Sequence, residues 1–206
     1  MVSDLRAELT GSVGATVPRY RMLLPPGWRS YDLSIDTERE LVAAARARLT
    51  EAGRPDLAGA LATQVKDAVA KLREQDAFAY ALPAEGSPTW VLGSASLVGL
   101  RRRSTPRWTL DDIVEDAVRN RGGVAIGEGH RIVRWTERHP TRVDGVDAVS
   151  FLIQFLLPIP GTRRTQAVQW TATVAHSADL PQDDPVLEAW VALFDHHIAS
   201  FTWSVR

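Results

Sequence analysis

The sequence predicts an α+β architecture, an antiparallel sheet flanked by helices, on three observations. Three long apolar-alternating stretches follow one another at 130–137, 146–157 and 165–174 with turn-rich links, the pattern of an antiparallel meander. Two consecutive runs of good helix formers fill about 37–75, the pattern of a helical hairpin. The chain closes on "PVLEAWVALFDHHIASF", an apolar helical stripe introduced by Asp184 and Pro185, which are a favoured cap and first-turn residue. At 206 residues the chain is long enough to bury a core without metal or disulfide support. We therefore expect a flexible N-terminal tail at 1–17 and a single α+β domain over 18–206.

Taken in order, "PRYRMLLP" reads as a strand with Tyr20, Met22 and Leu24 on one face. Pro25 and Pro26 end it, because they lack the amide hydrogens a ladder needs. Gly27 can then reverse the chain into "WRSYDLSI", the expected return strand. Thr37, with Glu40 three residues on, has the capping-box pattern and opens the first helix, which Gly53 ends. Pro55 suits the first turn of a second helix with Leu57, Leu61, Val65, Ala68, Val69 and Leu72 on its packed stripe. "AFAYALP" alternates Phe78, Tyr80 and Leu82 as a strand, and "TWVLGSASLVGL" is apolar on both faces, as a central strand is. "RRRSTPR" reads as a loop. Thr109 and Asp112 then cap a short helix ended by Gly122. "GGVAIGEGH" reads as a flexible link into the meander.

Composition excludes several chemistries. With no cysteine there is no thiol nucleophile, disulfide framework or cysteine zinc site. A formal net charge of -1 gives no general attraction to nucleic acid or membrane surfaces. No run approaches the roughly 18 apolar residues of a membrane span. Asp4 and Glu8 interrupt the N-terminal stretch where a signal peptide needs an apolar core, so a cytoplasmic location is expected. His196 and His197 are neighbours on a helix and diverge by about 100°, so no shared metal ion is expected and His197 is read as packed between Phe194 and Phe201. "GGVAIGEGH" lacks the Gly-Lys-Ser/Thr ending of a phosphate loop, Ser94 and Ser96 lack the glycine spacing of a nucleophile elbow, and His130, His139 and His176 are scattered. No catalytic residue, metal or cofactor is assigned.

What remains is a candidate docking surface. On "VDAVSFLIQFLL", Val149, Phe151, Ile153 and Phe155 share one face, and Ser150, Leu152, Gln154 and Leu156 the other. On "TQAVQWTATVA", Val168, Trp170, Ala172 and Val174 oppose Gln169, Thr171 and Thr173. The apolar faces must meet helices. The mixed faces hold small polar groups and few charges. Gln154, Gln169, Thr171 and Thr173 are therefore candidate partner-binding residues, with Arg101, Arg102, Arg103 and Arg107 of the arginine loop beside them to attract a protein with an acidic surface.

The opening motif carries a resemblance. Leu24, Pro25, Gly27 and Trp28 match an extended "lP.gW" hairpin, and Ile198, Ser200, Phe201 and Trp203 match an "i..Sf.w" ending. In these motifs and in element order the chain resembles the PsbP-like alpha-beta-alpha sandwich family, which includes the photosystem II extrinsic subunit and many bacterial proteins of unknown role. The resemblance implies a PsbP-like sandwich used as a scaffold for protein interaction. The family shares no catalytic residues, so none transfer. Two functions follow as expectations: a non-enzymatic interaction or accessory module of a bacterial cytoplasm, or a small-ligand-binding protein or enzyme with its pocket between sheet and helices. A flat exposed sheet face favours the first and a deep pocket with convergent polar groups the second.

Overall fold

The first strand ends at Arg21, ahead of Pro25 and Pro26, so the prolines neither terminate its ladder nor fold it into a hairpin. The computed structural model describes residues 17–84, 95–143 and 145–204. The expected tail lies outside these except for Val17, which is half-buried against the main core. Strand β1 is only Tyr20–Arg21, and it pairs antiparallel with the last strand of the chain, Thr202–Trp203. Beyond it the backbone leaves the ladder, and the Leu23 amide donates to the Ser200 hydroxyl at 2.9 Å. The turn at Gly27 (φ 76°) brings the Trp28 amide to the Pro25 carbonyl at 3.0 Å. Strand β2, Trp28–Tyr31, then joins a different sheet. The expected hairpin is thus corrected: the prolines hand the chain from a two-stranded ribbon to the main sheet.

Helix α1 spans Ile35–Glu51 and starts two residues before Thr37. Ser34 takes the capping role, its hydroxyl accepting from the Thr37 amide at 3.2 Å. Thr37 instead donates its hydroxyl to Asp32 at 2.5 Å. A 3-10 turn at Pro55–Leu57 leads into helix α2, Ala58–Glu74. Ala62 and Val69 are its buried residues, with Leu61, Val65 and Leu72 half-buried beside them. Leu57 and Ala68 are exposed, off the expected stripe. Arg73 clamps the hairpin: its guanidinium donates to the Leu33 and Ser34 carbonyls and pairs with Glu38 at 2.7 Å.

Among the described residues the main sheet has seven strands, all paired antiparallel. After β2 come β3 (Ala77–Pro83), β4 (Ala95–Arg103), β5 (Val124–Ile126), β6 (Ile132–Val143), β7 (Val146–Pro158) and β8 (Gln166–Ser177). Their spatial order is β2-β3-β4-β8-β7-β6-β5. The three meander strands are consecutive and antiparallel as expected. Helix α3, Leu110–Asn120, begins with the predicted reciprocal cap between Thr109 and Asp112. Helix α4, Pro185–Ala199, is capped by Asp184. The final strand is β9.

Three other expectations are corrected. Arg101, Arg102 and Arg103 are not a loop but the end of β4, in register with Val168, Ala167 and Gln166. The ladder continues because β8 still offers partners there. "GGVAIGEGH" is not merely a link, since β5 pairs along β6 as an edge strand. In β3 the register shifts between Ala77 and Ala79. That bulge turns the buried Ala79 and Ala81 to the main core, together with Phe78, while Tyr80 stays half-buried.

The sheet separates two cores. On one face Phe151, Ile153, Phe155, Val168, Trp170, Ala172 and Val174 pack against Leu187, Phe194 and Ile198 of α4. On the other, Leu110 and Ala117 of α3 pack against Trp135, Leu156 and Ala167. Helices therefore cover both faces in part, and the mixed face keeps an open stretch beside α3. Among the described residues no helix is long and apolar enough to cross a membrane.

Candidate functional site

On the α3 face, Gln154 and Gln169 are among the few buried polar residues. Neighbouring strands place them diagonally, because Gln154 is in register with Thr171 and Gln169 with Leu156. The Gln169 amide nitrogen donates to the Gln154 carbonyl oxygen at 2.5 Å. Arg102 reaches the same face from β4 and donates Nε to the Gln169 carbonyl oxygen at 2.7 Å. The three form one directional chain, guanidinium to amide to amide. Burial of these groups is tolerated because each has a partner. Burial holds the Arg102 guanidinium below its ordinary pKa, but an arginine remains charged.

These residues line a hollow of about 400 Å³ that also takes in Arg103, Thr105, Trp108 and Ile113. Trp108 is 50% exposed at the rim. The far wall holds Trp135, whose indole nitrogen donates to Glu137 at 3.0 Å. Glu137 also pairs with Arg121 at 2.5 Å and with His139 at 3.1 Å. Burial alone would raise the Glu137 carboxyl; the hydrogen bonds from Trp135, His139 and Arg121 outweigh it and hold the group below its ordinary value. Arg121 is further neutralised by Asp116 at 2.6 Å. Among the described residues, Arg102 and Arg103 have no acidic partner. The hollow thus presents two uncompensated cations beside polar amides and aromatic edges, a set that suits a carboxylate or another planar anion.

Of the residues singled out in the sequence, Arg102, Arg103, Gln154 and Gln169 meet here. Thr171 and Thr173 continue the same face of β8, half-buried and outside the hollow. Arg101 is displaced: alternation along β4 turns it to the other face, where it pairs with Asp76 at 3.0 Å. Arg107 lies exposed in the turn bridged by Thr105 and Trp108. Sequence reasoning missed Trp135, Glu137 and Arg121. The alternation Trp135, Glu137, His139 along β6 was the available signal: although the histidines are scattered along the chain, it sets His139 beside a carboxylate. Of the histidine pair, His197 is buried and His196 exposed. Their rings lie 5.5 Å apart at 78°. Among the described residues no group of three or more histidine or acidic side chains could hold a metal ion.

A second cleft, of about 430 Å³, lies between α4 and the edge of the sheet. Asp195 and Arg134 face each other there at 3.4 Å. Burial raises the Asp195 carboxyl above its ordinary pKa, and Arg134 only partly offsets this.

No family model matches the chain, and no curated protein matches it. Among solved structures, a protein from Bacteroides thetaiotaomicron VPI-5482 is similar at 12% identity and a TM-score of 0.42. The similarity covers 91% of this chain and 46% of that one, so this chain spans about half of its length.

Proposed function

We propose that the protein is a non-enzymatic interaction module, a PsbP-like scaffold of the bacterial cytoplasm that docks an acidic segment of a partner protein on the α3 face of its sheet. One observation carries this reading: Arg102 and Arg103, without acidic partners among the described residues, border a hollow floored by the Gln154–Gln169 pair. Fixed donors around an open hollow favour a carboxylate-bearing surface, and the arginines set the on-rate and salt dependence. Thr171 and Thr173 extend the surface along β8, and Trp108 supplies an exposed aromatic anchor.

The test is capture of a partner from the native host by the wild-type chain and by Arg103→Glu and Arg102→Gln, at several salt concentrations. Arg103 is exposed, so its reversal leaves the core intact. The reading expects weaker capture by both variants and a shallower salt dependence. Capture equal to wild type at every salt concentration would show that the arginines play no part in recognition.

A second reading, small-ligand binding between sheet and helix, is favoured by the cleft at Arg134 and Asp195. It expects Asp195→Asn to change binding of a small cationic or hydrogen-bonding ligand while leaving partner capture untouched.

A further inference from the structure

We propose that the hollow under the β7–β8 turn binds an amphipathic anion, a carboxylate carried on an apolar body. It is separate from the Gln154–Gln169 surface and encloses about 670 Å³, within the usual range for a small-molecule site. Its floor is apolar and already packed: Leu157, Ile159 and Phe201 are buried there. Trp203 closes one side, its ring edge-on to Phe201 at 4.7 Å. The floor is thus formed before any ligand arrives, and an apolar body entering it would remove further surface from water.

The mouth is cationic. Arg131, Arg163 and Arg164 line it, against a single acidic side chain, Glu128. Arg164 is neutralised by Asp111 at 2.6 Å. Among the described residues Arg131 and Arg163 have no acidic partner, so the mouth carries an excess positive charge next to an apolar floor. That pairing selects an anionic head on an apolar body over either part alone.

The backbone of the mouth is held in an uncommon form. Arg163 and Arg164 have φ of 51° and 63°, in the left-handed region that side-chain-bearing residues seldom occupy. The β7–β8 turn is braced in that form, with the Thr162 hydroxyl donating to the Ile159 carbonyl at 2.7 Å and the Thr165 hydroxyl to the Thr162 carbonyl at 2.6 Å. Local strain of this kind clusters where a fold presents groups to a ligand. Here it points two consecutive arginines at one opening.

The experiment is calorimetric titration of the full chain with octanoate and, separately, with 1-octanol, which shares the apolar tail and lacks the charge. Octanoate should bind about tenfold or more tightly, the order of difference that a charge-assisted hydrogen bond supplies. The double variant Arg131→Gln, Arg163→Asn should reduce octanoate to the level of octanol at an unchanged melting temperature, since both positions are exposed and asparagine tolerates the left-handed backbone. Ala199→Phe, at an exposed lining position, should narrow the hollow and weaken both probes. Equal affinity for the two probes, no measurable heat with either, an octanoate preference that survives the double variant, or full binding by Ala199→Phe would each overturn the assignment.

Discussion

At the scale of single residues, Gly99 shows how one missing side chain shapes the core. It lies in β4 opposite Trp170. A Cβ there would sit 2.8 Å from the Phe78 ring and 2.9 Å from the Trp170 ring. The glycine is what lets Phe78 and Trp170 meet edge to face at 5.4 Å. Gly99→Ala should therefore destabilise by about 1–3 kcal/mol, the range for overpacking, measurable by chemical denaturation. His197 makes a prediction in pH. Burial first, and the charge of His196 second, depress its pKa, while a backbone bond to Leu23 works the other way. Above the unfolded-chain value of 6.5 both states are neutral and its contribution is fully present. As pH falls below that value the unfolded chain takes up the proton first, so stability is lost as the pH drops toward and through the folded pKa. Melting temperature should fall between pH 7 and pH 5, and His197→Gln should flatten that slope. Asp195, whose carboxyl is raised, acts in the opposite sense at lower pH, and comparing wild type with the variant cancels it.

At the scale of elements, the cap of α3 is the clearest case of local sequence dictating structure. The Asp112 amide donates to the Thr109 hydroxyl at 3.2 Å, and the Thr109 amide returns the bond to the Asp112 carboxylate at 2.7 Å. The Thr109 amide and, at 2.8 Å, the Thr109 hydroxyl both donate to the Asp112 carboxylate and hold it below its ordinary pKa. Thr109→Ala should cost about 1 kcal/mol, the usual worth of an N-cap, and loosen one wall of the Arg102 hollow, which α3 supplies through Ile113. Strand β2 is short and at the sheet edge, and Trp28 anchors it. That ring is 8% exposed and meets Phe194 of α4 edge-on at 5.8 Å. Trp28→Ala should cost roughly 3–5 kcal/mol, as large core truncations do; a loss below about 1 kcal/mol in denaturant titration would place the ring outside the core.

At the scale of the whole molecule, protection should follow the sheet. Strands β4, β8 and β7 are flanked on both sides and carry the fully buried Leu97, Val168, Ile153 and Phe155. Among the described residues the α1–α2 hairpin buries Val42, Ala62 and Val69; its Arg73 bonds close the hairpin on itself and its lead-in, and an exposed ion pair, Arg29–Glu40 at 3.4 Å, links it to β2. Hydrogen exchange should release the hairpin amides first and the β4–β8–β7 amides last. Exchange of the hairpin at the rate of the central strands would mean that the two open as one unit.

The sequence by itself determined what depends on near neighbours. Alternation along the chain assigned the meander and its two faces, and capping residues marked the starts of α3 and α4. Divergence of adjacent helical residues separated His196 from His197. Even the polar face of the candidate site was legible, because Gln154 and Gln169 each interrupt an apolar strand. Only the tertiary structure decided what depends on distant partners. Strand β1 joins β9, and the Leu23 amide meets Ser200, across 177 residues. Arg102 and Arg101 part to opposite faces because β4 continues along β8, which the local run of arginines does not encode. The hollow under the β7–β8 turn draws its walls from Arg131, Leu157, Arg163 and Trp203 together. Side-chain direction is set by the residue and its strand, whereas which strand lies alongside is set by the burial of the whole core.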